Sequence, residues 1–233
     1  YYGIATVFIF FNTQQMEPLQ QHTKLDPLLS EIAARRDDLI LLTQNLIRIP
    51  TLNPPGENYR DICEFLNNRL TKHGFNTEMV RAYDTPGDSD KYPRWNLVAR
   101  REGTGSGECV HFNSHIDVVE VGSGWTQDPF GGALVDGKIY GRGACDMKGG
   151  LAASIIAVES FIHTNPDFQG AIEISATGDE ESGGYGGVAY LAEKGFFDPK
   201  RVQHVIIPEP LNKDRVCLGH RGGWWAEIET FGE

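Results

Sequence analysis

The apolar positions of DPLLSEIAARRDDLILLTQNLIRIP, residues 26–50, recur at helical spacing, and Pro50 marks the end of that helix. NYRDICEFLNNRLTKHG, residues 58–74, repeats the pattern with Gly74 as its C-cap. Strands are predicted at NTEMVRA, WNLVARR, CVHFNSH and KIYGRG, separated by a Pro-, Gly- and Asp-rich loop at AYDTPGDSDKYPR. MKGGLAASIIAVESFIHT reads as a strong helix and GGVAYLAEKG as a shorter one. GAIEISATG places Ile172 and Ile174 on one face of a strand, HVIIPEP reads as a buried strand, and RVCLGHRG and WWAEIETFG end the series. Helices alternating with apolar strands define an α/β fold, a mostly parallel mixed sheet with helices on both faces. There is no internal repeat and no low-complexity stretch.

Composition narrows the function classes. At 40% hydrophobic and 23% charged residues, the 233-residue chain can build a sizeable core. A net charge of −11 argues against nucleic acid or an anionic membrane surface as a partner and suits a cation-binding protein. Cys63, Cys109, Cys145 and Cys217 form no C-x-x-C pair and read as reduced thiols of a cytoplasmic protein. The opening YYGIATVFIFFN is too short for a membrane span and lacks the flanks of a signal peptide. Met16 is then the expected start, with residues 1–15 a non-native or disordered leader; a short strand or an incomplete anchor is the competing account. WWAEIETFGE stops inside strand-like alternation, so the chain looks cut there.

The chemistry collects where strands give way to loops. FNSHIDVV ends in His115 and Asp117, GRGACDMKGG sets Asp146 ahead of a helix, GDEESGG supplies Glu180 and Glu181, and IIPEP supplies Glu209. Taken singly, each has a plainer role. His115 could be a hydrogen-bonded core residue, Asp117 a turn cap, Asp146 an N-cap, Glu209 an exposed turn, and the acid triplet Asp179–Glu181 a solvated loop. Those plainer readings fail jointly, because one sheet edge can gather all of these groups. A histidine with several carboxylates and no thiolate suits zinc, cobalt or manganese.

SHIDVV, GWTQDPFGGALVDGKIYGRGACDMKGGLAA, TGDEESGG and IPEP, in this order and spacing, resemble the co-catalytic zinc aminoacylase and carboxypeptidase family. Within it they lie nearest the succinyl-diaminopimelate desuccinylase and acetylornithine deacetylase branch, from about Leu25 to the last residue. The resemblance implies two zinc ions, with cobalt or manganese as substitutes. It implies that His115 and Glu209 ligate the first, Glu181 the second, and Asp146 both. Asp117 would orient the His115 ring, and Glu180, free of metal, would act as general base. A cis peptide at Asp146–Met147 is also implied.

Two family features do not match residues here, a late zinc-binding histidine and a lid domain that dimerises and contributes a histidine. His220 is read as a surface or packing residue, and Cys145 as a small packing residue rather than a nucleophile. The expected organisation is a leader (1–15), the N-terminal part of a zinc-dependent catalytic domain (16–218) and the start of a truncated lid and dimerisation domain (219–233). The implied activity is removal of an acetyl or succinyl group from an N-acyl amino acid by a homodimer. A dipeptidase or glutamate-releasing carboxypeptidase on the same scaffold is the second reading, and a metal-binding, non-catalytic domain the third.

Overall fold

The computed structural model describes residues 25–210, 217 and 229–231. The expected leader and His220 lie outside them, as do all of the expected strands at 215–222 and 224–232 except residues 217 and 229–231. The single helix expected over 26–50 is two, α1 (Asp26–Ala34) and α2 (Arg36–Ile47). The chain leaves helical geometry at Arg35 (φ −92°, ψ 17°), whose guanidinium turns onto Glu159. α3 (Tyr59–Lys72) buries Tyr59, Ile62, Cys63, Leu66 and Leu70, the one-face spacing seen in its sequence.

β1 (Asn76–Arg81), β2 (Trp95–Glu102) and β3 (Gly105–His115) follow. KIYGRG does not join their sheet. Its first residues form β5 (Lys138–Tyr140), paired only with the short β4 (Ala133–Val135). Asp136 and Gly137 turn this ribbon with φ of 50° and 74°, the left-handed pair that a two-residue hairpin loop requires. α4 (Lys148–Thr164) then leads to β6 (Gln169–Thr177). A π-helical turn (Tyr185–Ala189) and α5 (Tyr190–Glu193) precede β7 (His204–Ile206).

The main sheet has the order β1-β2-β6-β3-β7. β1–β2 and β2–β6 are antiparallel, while β6–β3 and β3–β7 are parallel. The sheet is thus mixed in equal parts rather than mostly parallel, and its parallel half carries the candidate site. α2, α3 and α4 pack on one face over Leu97, Ala99, Ile172, Ile174 and Ala176. Each buried leucine or isoleucine there contributes about 1.5–3 kcal/mol. The chain from Gly186 to Val202 covers the other face, where Asn96 donates to the Gly186 carbonyl, Phe197 meets His111 edge-on and Arg201 pairs with Glu173.

HVIIPEP is not a buried strand. Only His204–Ile206 pairs, at the sheet edge, and Val205, Ile206 and Ile207 are 52%, 46% and 57% exposed. An edge strand is bonded on one side only, and among the described residues its strand neighbour is β3 alone.

Glu159 of α4 ties three helices together. Its fully buried carboxylate accepts from Arg69 of α3 at 2.8 and 2.7 Å and from Arg35 between α1 and α2. Glu159→Ala leaves the Arg35 and Arg69 guanidiniums with only the partly exposed Asp38 carboxylate between them, and is expected to destabilise the fold by on the order of 3 kcal/mol. Arg60→Ala, which removes an exposed i,i+4 pair with Glu64, should cost about 0.5 kcal/mol or less. Urea unfolding of both variants checks the contrast.

Candidate metal centre

Parallel register brings three strand ends level. His115 faces Thr177 across β3–β6, and Phe112 faces Ile206 across β3–β7. Three residues beyond Phe112 is His115, and three beyond Ile206 is Glu209. Three beyond Thr177 is Glu180, on the short 3-10 turn Glu180–Ser182. Asp146 reaches the same edge from the loop before α4, and the Asp146–Met147 peptide is cis. The carboxyl edge of parallel strands is where α/β folds place ligand sites.

His115 is the hub. Its Nε2 lies 2.9 Å from Asp146 Oδ1, 3.7 Å from Glu209 Oε1 and 4.0 Å from Glu180 Oε2. Candidate ligand atoms of His115, Asp146 and Glu209 all fall within 4.8 Å of one another, and so do those of His115, Glu180 and Glu181. Together the two trios contain all five residues named from the sequence as ligands or base, although Asp146 and Glu181, expected to share an ion, fall in different trios. Asp146 belongs to the first of these trios and not the second. His115 is buried while Asp146, Glu180 and Glu209 are partly open to solvent, so the oxygen side of the site is accessible.

Asp117 does more than the ring orientation expected of it. His115 Nδ1 is 3.0 Å from the Asp117 backbone carbonyl and 3.5 Å from its carboxylate. The fully buried carboxylate itself accepts from Asn53 Nδ2 (2.8 Å), the Glu180 amide (3.2 Å) and the Glu181 amide (3.0 Å). One anion thus fixes the imidazole and the backbone that carries both glutamates. Asn53, which also donates to Ser182 Oγ, was not singled out from the sequence. Its segment, TLNPPG, clips onto the chain after β3 through Asn53 N to Val118 O and Val118 N to Thr51 O. The Pro-Pro-Gly turn is the signal that could have drawn notice to it.

The electrostatics show a shortage of positive charge. Burial disfavours the His115 imidazolium, but hydrogen bonds to Asp117 and Asp146 and the charge of Glu209 outweigh it and raise the pKa to about 11. The His115 hydrogen bond holds Asp146 below the usual carboxylate value against its burial. Burial and the nearby charge of Asp146 raise Glu181 to about 7. Glu209 rises to about 7 as burial and Asp146 overcome the attraction of His115. One imidazole cannot balance this many carboxylates, whereas a divalent cation can. The donor set, one ring nitrogen with hard oxygens and no thiolate, fits such an ion. Burial and the charges of Asp146 and Glu209 push the Cys145 thiol up to about 11, which disfavours a nucleophilic thiolate.

These features define an α/β domain with a candidate metal centre at the carboxyl edge of its parallel strands. Residues 111–223 match the model of peptidase family M20/M25/M40, and the chain carries a domain of that family. It is 37% identical over 201 residues to a succinyl-diaminopimelate desuccinylase of Methylorubrum extorquens, an alignment covering 83% of this chain and 50% of that one. A protein of the same name from Rhodospirillum centenum is 35% identical, covering 84% and 50%. The chain thus spans about half the length of the curated relatives it matches. Among solved structures, the yeast dipeptidase Dug1p superposes with a TM-score of 0.68 at 23% identity, over 78% of this chain and 40% of that one. Human carnosine dipeptidase 1 superposes with a TM-score of 0.66 at 22% identity, over the same shares. Both establish the fold. No described helix is long and apolar enough to cross a membrane.

Asp117→Asn replaces an acceptor-only group with one that turns an NH2 toward at least one of three donors. Zinc affinity by calorimetric titration is expected to fall about 10- to 100-fold, and an unchanged affinity would remove Asp117 from the site's support. Cation uptake must also displace protons from His115, and from Glu181 and Glu209 below about pH 7. Affinity should therefore rise from pH 5 to pH 8, with more than one proton released at pH 6 when the titration is repeated in buffers of different ionisation enthalpy.

Proposed function

We propose that this chain holds the metal centre and general base of a hydrolase that removes the acyl group from an N-acyl amino acid, with N-succinyl-diaminopimelate as the leading substrate. The observation that supports it best is the gathering of His115, Asp146, Glu180, Glu181 and Glu209 at one strand edge. Two zinc ions are the proposed cofactors, with cobalt or manganese able to replace them. His115, Asp146 and Glu209 would hold the first, and Glu181 with Asp146 the second. When bound, zinc lowers the pKa of water toward ~7 and polarises the amide carbonyl.

The protein's own groups do the rest. Glu180 sits 4.0 Å from His115 Nε2 and is half exposed, open to a water and a substrate amide. It takes the proton as water adds to the carbonyl carbon, and returns it to the amine nitrogen as the C–N bond breaks. The products are a free carboxylic acid and a free amine. Asp117 keeps His115 and the two glutamate amides in register throughout. Residues 16–218 are the proposed catalytic unit, and 219–233 the beginning of a lid through which the cytoplasmic enzyme dimerises. The desuccinylase reading is preferred to a dipeptidase because the relatives at 35–37% identity carry that name, whereas the dipeptidase likenesses at 22–23% concern fold.

Glu180→Gln separates the roles. The zinc- or cobalt-loaded variant should keep its metal content while kcat on N-succinyl-diaminopimelate falls by about 10²- to 10⁴-fold, the span of a general acid-base contribution. Loss of metal together with activity would make Glu180 a ligand. Faster turnover of dipeptides than of N-succinyl-diaminopimelate and N-acetylornithine would favour the dipeptidase. Full metal binding with no hydrolysis of any of these would favour a non-catalytic domain.

A further inference from the structure

Behind the two glutamates lies a buried ion pair that the mechanism above does not use. Asp179, the first acid of the triplet, is 1% exposed, and its carboxylate is held by partners inside the protein. Its Oδ2 accepts from Arg94 Nε at 3.0 Å and its Oδ1 from the Tyr59 hydroxyl at 3.1 Å. Arg94 is 4% exposed. Its Nη1 donates to the carbonyls of Pro55 and Tyr92, and its guanidinium carbon lies 5.6 Å from the centre of the Tyr59 ring. Space for it is built in. A Cβ on Gly56 would lie 2.0 Å from Arg94 Nη1, and one on Gly186 would lie 2.4 Å from Asp179 Oδ2 and 2.7 Å from Arg94 Cγ.

The pair controls a backbone reversal. Asp179 has φ +62°, a left-handed conformation uncommon for a residue with a side chain. That turn is what presents the Glu180 and Glu181 amides to Asp117. The Asp179 carbonyl accepts from Ser182 N and Gly184 N, and its own amide donates to the Tyr59 hydroxyl. Asn96 holds the residues on either side, accepting from Gly178 N and donating to the Gly186 carbonyl. Side-chain charge, hydroxyl and amide thus fix the one residue whose conformation aims the next two.

We propose that Arg94, acting through Asp179, is the positioning residue that sets Glu180 and Glu181 at the metal centre. It does so while linking them to the 82–94 loop and to the Pro54–Pro55 turn, so that three separate loops are held by one guanidinium. This rests on the metal-centre reading above. Arg94 touches no ligand atom of either trio, and its effect is transmitted through the Asp179 turn. The cation held through Glu181 therefore depends on Arg94, and the cation held through His115, Asp146 and Glu209 does so much less.

Sequential Co2+ titration of the full-length protein, followed by visible absorption, tests this, with Glu209→Ala marking which step belongs to which cation. In Arg94→Met, the Glu181-dependent step is expected to weaken about 10- to 100-fold, with the other changed by less than about threefold. Arg94→Lys should recover part of the loss. Tyr59→Phe, which removes the hydroxyl's contacts to both the carboxylate and the amide of Asp179 and leaves no charge stranded, should weaken that step by about three- to tenfold and carries the test if Arg94→Met does not fold. Wild-type binding in the folded variants, or equal loss of both cations, overturns the proposal alone. A wild-type protein that takes up no Co2+ brings down the metal-centre reading and the proposal with it.

Discussion

The site depends on one buried carboxylate. Asp117 has no exposure to solvent, yet its oxygens are satisfied three times over, by Asn53 and by the amides of Glu180 and Glu181. A buried anion without donors costs several kcal/mol, so the three donors must arrive with it. This requirement couples the turn after β3, the Pro-Pro turn and the acidic triplet. Two of those donors are the backbone groups that carry the candidate base and a candidate ligand. The geometry of the metal centre is therefore set one layer below the atoms that face the cation.

The same logic recurs at each buried charge. Glu159 is answered by two arginines, Glu173 by Arg100 and Arg201, and Asp179 by Arg94. Lys148, fully buried beside the site, has no carboxylate within bonding distance among the described residues. It donates instead to the carbonyls of Leu46 and Ile49 at the end of α2, where unpaired helix carbonyls favour a cation. Burial brings its pKa down to about 7. The metal centre is the exception to this pairing. There the acids outnumber the imidazole, and that imbalance distinguishes a cation site from the structural ion pairs around it.

The sequence revealed this centre more fully than it revealed the scaffold. His115, Glu180, Glu181 and Glu209 were legible because each follows an apolar run that parallel strands bring to one edge, while Asp146, on the loop before α4, was legible through its GRGACDMKGG motif. Sheet direction was less legible. β2 and β3 have similar compositions, and only pairing partners far apart in the chain make one antiparallel and the other parallel to β6. β7 was read as buried because Val205, Ile206 and Ile207 are apolar, a property that says nothing of whether a neighbour covers them. Arg94, Tyr59 and Asn53 went unnoticed since their carboxylate partners lie 64 to 120 residues away.

The run of three acids, Asp179-Glu180-Glu181, shows why composition alone misleads at such a site. Strict alternation carried on from β6 would send neighbouring side chains to opposite faces, and one glutamate would leave the cation behind. The left-handed turn at Asp179 breaks that alternation, and the 3-10 turn after it swings Glu180 and Glu181 to one side. Such a turn holds only if its own side chain is held. An aspartate suits the position, because its short carboxylate can reach an arginine and a tyrosine while its backbone adopts φ +62°. The three like charges are tolerated because they do not share an environment. Asp179 is neutralised from within the protein, and the glutamates face a place where a cation can meet them.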